Sequence, residues 1–202
     1  DVLTPSALTL DLNEWKPLRR PSTSDGRSGT VTIVHAPNHR GFKGTEFIVA
    51  AVEQLAEEGL AVELRLLEGL PNAEVRKILS QEADILVDQL LAGGYALNAL
   101  EGMSVGLPVV GNLSDENRLA PFRWYTFFRH CPIVSATPDT VLSVLRDLIT
   151  HPEIRADVGQ RGVQYVRNNH GNEAAVRLFT RVLAALESGK DIGSMYHPLL
   201  GR

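Results

Sequence analysis

Two glycines, Gly93 and Gly94, stand between an apolar run and a short amphipathic segment that carries one acid, Glu101. A helix opening behind such a turn presents unpaired backbone N–H groups and a partial positive charge at its start. Glycines let a phosphate come close to that backbone. The stretch is a candidate phosphate cradle without the G-x-G-x-x-G spacing of dinucleotide sites; a plain strand-to-helix turn is the competing reading. Glu101 falls beside an apolar face formed by Leu97, Leu100, Met103 and Val105. Burying it unpaired would cost several kcal/mol, so it must lie near the surface or be hydrogen-bonded. It could accept bonds from the vicinal hydroxyls of a ribose, as acids do in dinucleotide sites, or be a solvated helix glutamate.

Arg40 and Lys43 lie in the polar stretch PNHRGFKGT, after a β-branched run. Two cations at a strand end can neutralise a diphosphate, the guanidinium through paired N–H bonds and the ammonium as a point charge. Taken singly, each reads equally as part of a solvated basic loop. Together with a helix start and an acid, they describe a site for a nucleoside diphosphate. His35 and His39 flank the same loop and read as loop or capping residues rather than acid–base catalysts. No metal site is expected, because the acids do not converge at ligand spacing. The lone Cys131 rules out an internal disulfide framework and a multi-cysteine zinc site. It reads as a small buried residue, since no helper motif surrounds it.

The elements that must hold these residues alternate. TVTIVHA, LAVELRLLEG, ADILVDQLL and LPVVGN read as buried strands, and PIVSA as a fifth. Helices are expected over EFIVAAVEQLAEEG, capped by Thr45, over LPNAEVRKILSQE, and from Tyr95 or Ala96 onward. Three more follow in TPDTVLSVLRDLITH, PEIRADVGQRGVQYVRNNH and GNEAAVRLFTRVLAALESG, the last with a solvated basic face at Arg177 and Arg181. Near-continuous apolar strands imply a sheet covered on both faces. The expected fold class is α/β, a Rossmann-like doubly wound parallel sheet flanked by helices. Ligands of such sheets bind beyond the carboxyl ends of the strands, here the loops HAPNHRGFKG, EGLPN, DQLLAGGY and GNLSDEN. The aromatic span with Trp124, Tyr125, Phe127 and Phe128 reads as an edge cluster, or a face toward another domain.

The 202 residues carry 44% apolar and 22% charged side chains and a net charge of −4, as an ordinary globular chain does. The charge balance argues against nucleic acid as the partner. No apolar run reaches the roughly 20 residues of a membrane span, and no signal-peptide pattern is present, so a cytoplasmic setting is expected. The first residue is Asp1 rather than Met, and the chain is read as beginning mid-protein. Residues 1–29 read as an interdomain lead-in, 30–189 as the binding domain and 190–202 as a tail.

The order H-A-P, R, K-G-T, then A-D-I-L-V-D-Q, then G-G-Y, E-G-M and G-L-P-V-V resembles the C-terminal donor-binding domain of GT-B glycosyltransferases. The nearest group is the retaining, glycogen-synthase-like one labelled family 4 or group 1. The likeness runs from about Thr30 to Gly189, and LTLDLNEWKP resembles the family's interdomain connection. It implies one half of a GT-B enzyme that moves a sugar from a nucleotide-sugar to an acceptor with retention, in polysaccharide biosynthesis, and without a cofactor or metal. Arg40 and Lys43 would contact the donor pyrophosphate and support the leaving diphosphate. Glu101, matching the second acid of Glu-x7-Glu, would bind the ribose. Tyr95, Ala96 and Leu97 fall where loop amides meet the sugar and phosphates, and Gly69 and Leu70 where the base is lined. The acceptor-binding domain would lie N-terminal to this chain and make any peripheral membrane contact. The chain departs from the pattern at the first acid, which is here Gly93, followed by Gly94, Tyr95 and Ala96. Asp88 or Gln89 then stands as the substitute near the sugar. A non-catalytic nucleotide-sugar-binding protein and a nucleotide-sugar epimerase of the same fold remain the alternatives.

Overall fold

A computed structural model of the chain describes residues 8–18, 21–114, 119 and 130–190. The aromatic span with Trp124, Tyr125, Phe127 and Phe128, part of the GNLSDEN loop and the tail expected after 190 lie outside the described residues. The elements run β1 (Val31–His35), α1 (Arg40–Lys43), α2 (Thr45–Glu57), β2 (Val62–Leu66), α3 (Asn72–Gln81), β3 (Ile85–Val87), α4 (Leu97–Ser104), β4 (Val109–Gly111), β5 (Val134–Ser135), α5 (Val141–Thr150), α6 (Pro152–Asn169) and α7 (Asn172–Glu187). The five strands form one parallel sheet in the order β2-β1-β3-β4-β5. This is the α/β, Rossmann-like arrangement that the alternation predicts.

Period two sorts the strand residues between two cores. Val34, Leu86 and Val109 face one layer, built with Leu79, Leu100, Met103 and Val166 from α3, α4 and α6. Ile33, Ile85, Val87 and Val110 face the other, built with Ile48, Leu55, Leu145 and Ile149 from α2 and α5. Both faces are dry over β1, β3 and β4, while the edge strand β2 keeps polar Glu63 and Arg65 on one side.

Local details differ from the pattern in the sequence. The apolar run 83–91 yields a strand of only Ile85–Val87, because Asp88 and Gln89 turn their side chains into a polar network at its end. The loop after β1 holds the helical turn α1. Gly44 separates it from α2 in the left-handed region, φ 77°, and stands at the cap position expected of Thr45. Leu97 is 43% exposed and leaves the apolar face of α4 to Leu100 and Met103, because as the first helical residue it sits at the mouth of the strand-end loops.

The lead-in is packed onto the domain. Trp15 and Leu10 belong to the first core, and Leu10 bridges Gly171 in parallel. Helix α6 approaches the turn after α4 at backbone distance: a Cβ on Gly159 would overlap the carbonyl oxygen of Gly106. Gly159→Ala is therefore expected to destabilise the domain by about 1–3 kcal/mol, the usual cost of forced overpacking. Urea unfolding checks this, and a wild-type midpoint would mean that α6 can shift freely.

Candidate functional site

The carboxyl ends of β1, β2 and β3 gather the candidate residues into three neighbouring polar groups. Lys43 closes α1, where Gly44 lets the chain turn at once into α2. This places its side chain under the sheet edge, with only 7% of it exposed. Nζ donates to Asp88 Oδ1 at 2.7 Å and to Gln89 Oε1 at 2.8 Å. Both acceptors directly follow β3, and Asp88 N–H still donates to Val110 O, so the ladder holds them in place.

Asp88 also reaches the start of α4. Its Oδ2 accepts from the Ala96 amide at 3.4 Å, and Ala96 is the residue before the first helical one. Gln89 fixes the connecting loop, donating to Ala92 O and Gly94 O. Gly94 adopts φ 94°, a conformation open to glycine. Its amide is already used, donating to Asn112 O at 2.9 Å. The Gly94 N–H thus ties the loop to the residue that follows β4. Gly93 precedes it in the same loop, half-buried.

Glu101 is buried, not solvated. Asn72, at the start of α3, donates Nδ2 to Glu101 Oε1 at 3.3 Å. Burial holds the Glu101 carboxyl above its ordinary range, the Asn72 bond pulls it down, and the Asp88 charge pushes it up. The requirement for a hydrogen bond is met by a residue that sequence reasoning did not single out. Its one signal is position: Asn72 opens a helix directly after the EGLPN loop.

Arg40 goes elsewhere. It is turned to Glu68 after β2, with Nε 2.9 Å and Nη2 2.6 Å from the two carboxylate oxygens, and to Glu46 at 3.4 Å. The pair keeps the guanidinium well above and the Glu68 carboxyl below their ordinary values. Arg40 and Lys43, both expected to face one diphosphate, are paired with different acids here, because α1 is one helical turn and sends the two side chains apart. Glu68, unmarked by the sequence reading, neighbours Gly69, which takes φ 66° in the same loop. Leu70 packs on the first core.

Histidine chemistry is spent on structure. His35, fully buried, faces Val87 O through Nδ1 at 2.8 Å and Thr45 Oγ1 through Nε2 at 2.9 Å. A carbonyl only accepts, so Nδ1 carries the proton and the Thr45 hydroxyl donates to Nε2. Burial lowers the His35 pKa and keeps the ring neutral. His39 is exposed ahead of α1. The Tyr95 side chain turns away from the loop: its hydroxyl lies 2.8 Å from Tyr165 Oη and 3.0 Å from His170 Nε2, while His170 Nδ1 reaches Leu8 O at 2.9 Å. This chain pins the loop before α4 to α6 and the lead-in, leaving Tyr95 only its backbone for a ligand. Burial pushes the Cys131 thiol up to about 11, which keeps it a poor nucleophile.

Among the described residues no group of three or more His, Cys, Asp or Glu is placed to hold a metal ion. No helix among them is long and apolar enough to cross a membrane. A cleft of about 890 Å³ opens at the opposite end of the sheet, lined by Pro17, Ala83, Asp84, Pro108 and Arg155. That is the amino end of β3 and β4, where open parallel sheets do not bind ligands. The candidate residues lie at the carboxyl ends.

No protein-family model matches the chain, and no curated protein sequence matches it. Solved structures do. A sucrose-phosphate synthase from Thermosynechococcus elongatus superposes with TM-score 0.60 at 15% identity, over 90% of this chain and 52% of that one. A mutant of S. aureus TarM, in complex with fondaparinux, alpha-GlcNAc-glycerol and UDP, gives 0.59 at 12% identity, over 83% and 36%. The C-terminal domain of a glycosyl transferase group 1 family protein, LpcC, from Francisella tularensis gives 0.51 at 15% identity, over 79% and 97%. The chain thus spans about half the first structure or less of the two longer proteins, and nearly all of the isolated domain. The likeness is one of fold: this chain is built like the C-terminal half of a GT-B glycosyltransferase.

Two outcomes follow from the site's electrostatics. Lys43→Met or Asp88→Asn alone leaves one buried charge unpaired and is expected to cost about 3–5 kcal/mol, whereas the double variant should cost much less than the sum. Urea unfolding of the four proteins measures this, and strict additivity would show that the pair is not coupled. Glu101, raised in the fold above its ordinary 4.5, gives up its proton at a higher pH in the folded chain than in the unfolded one. Its stabilisation is full below the unfolded value and is lost as pH rises through the folded one. The Tm of Glu101→Gln should therefore gain on wild type as pH rises from about 4 to 7; a constant difference contradicts this.

Proposed function

We propose that this chain is the donor-binding half of a glycosyltransferase, taking a nucleoside-diphosphate sugar and passing the sugar to an acceptor with retention. The observation that carries the reading is the convergence of Lys43, the start of α4 and Glu101 at the carboxyl edge of the sheet. Glycosyltransferase structures share the fold around that edge.

In this reading Lys43 and the α4 amides at Ala96 and Leu97 receive the diphosphate. Departure of a nucleoside diphosphate builds charge on phosphate oxygens, and a cation with preorganised amides in a dry site stabilises that charge. Glu101 receives the ribose hydroxyls. Bonds donated to a carboxylate favour its charged form, so a ribose would offset the burial that now raises Glu101. Gly69 and Leu70 line the base, and Arg40, at the outer rim, completes the phosphate contacts once released from Glu68. The acceptor comes from a second, N-terminal domain that closes over this edge, and the setting is cytoplasmic. No cofactor or metal enters the scheme; the nucleotide-sugar is the substrate.

One observation favours a second reading, a nucleotide-sugar binder without catalysis. Gly93 offers no side chain where the resemblance expects an acid, and both cations are already paired. Donor turnover by the protein that carries both halves separates the two.

UDP, GDP or ADP at millimolar concentration should give binding heat in calorimetry, and silence from all three would remove the proposal. Glu101→Ala should weaken the nucleotide that binds by ~1–3 kcal/mol, the range for bonds to a charged group. An unchanged affinity would reject the ribose role.

A further inference from the structure

Asp88 already holds two of the groups assigned above to the ligand. Its carboxylate is 1% exposed, with Oδ1 on the Lys43 ammonium at 2.7 Å and Oδ2 facing the Ala96 amide at 3.4 Å. One oxygen on the cation and one on the helix start is the pattern that a bound phosphate would make there. Lys43 is itself buried, so an incoming anion does not reach Nζ while Asp88 stays in place. Gln89 locks this arrangement from behind, accepting from Lys43 and donating to Ala92 O and Gly94 O.

We propose that Asp88 is the specificity-determining residue of this site: an internal anion in the phosphate position, which a ligand must displace from both Lys43 and the Ala96 amide. The inference rests on the reading of the site as diphosphate-binding. A tethered carboxylate competes at high effective concentration, so a ligand offering one weakly charged oxygen loses to it. A diphosphate brings several charged oxygens and takes the ammonium and the amide together. The displaced carboxylate is a cost on every ligand, and it falls hardest on monoanions. The site thereby discriminates by charge before any contact to base or sugar is made.

Calorimetry of the unaltered chain and of Asp88→Asn, with inorganic pyrophosphate and with UDP, GDP and ADP, tests this. The variant is expected to bind pyrophosphate and at least one nucleotide about tenfold more tightly or better. Nucleotide binding by the unaltered chain with equal or weaker binding by the variant overturns the role of Asp88 and leaves the diphosphate site standing. No binding by either protein overturns both. Because the substitution strips a buried ammonium of its counter-ion, a second measurement uses the unaltered chain. The NMR signal of the Asp88 carboxyl carbon should move as pyrophosphate saturates the site, together with that of the Ala96 amide. An unmoved Asp88 signal in the saturated protein overturns the proposal even if the variant does not fold.

Discussion

The ion pair between Lys43 and Asp88 is the interaction around which the carboxyl edge of this sheet is organised. Both partners are buried, and two buried charges are tolerated only when each answers the other and the remaining bonds are filled. Gln89 and the Ala96 amide fill them. The pair thereby fixes three segments at once: α1 through Lys43, the exit of β3 through Asp88 and Gln89, and the start of α4 through Ala96. Without it the loop between β3 and α4 would lose its inner anchor.

Around that pair the rest of the fold works as a rigid frame. Short strands suffice because both faces of the inner strands are covered by helices, and only the edge strand β2 has a polar side. His35 clamps β1 to β3 and α2 from inside, as a neutral ring with its proton on Nδ1. Tyr95, Tyr165 and His170 clamp the outer side of the same loop to α6. The loop that carries the candidate amides is thus held at both ends, which is what preorganised donors require.

Charge is distributed unevenly over this frame. Glu101 sits in a dry position beside the negative Asp88 and is relieved by one bond from Asn72. Arg40 and Glu68 answer each other in solvent, where an ion pair contributes little and opens readily. The inner ion pair is buried and the outer one is exposed.

The sequence by itself determined the layers. Near-continuous apolar strands alternating with helical periodicity leave few options besides a covered parallel sheet, and glycines and prolines mark the joints. Lys43, Glu101 and the loop at Gly93 and Gly94 stood out because charge and glycine at a strand end interrupt an otherwise apolar pattern. Only the tertiary structure decided who partners whom. Asp88 and Lys43 are far apart along the chain, as are Asn72 and Glu101 and also Arg40 and Glu68, and no local spacing encodes a contact that arises when β1, β2 and β3 are laid side by side. Burial is likewise a property of packing. It turned an apparently solvated glutamate into a buried one and an apparently free lysine into half of an ion pair, because the desolvation that governs both depends on neighbours brought by other elements.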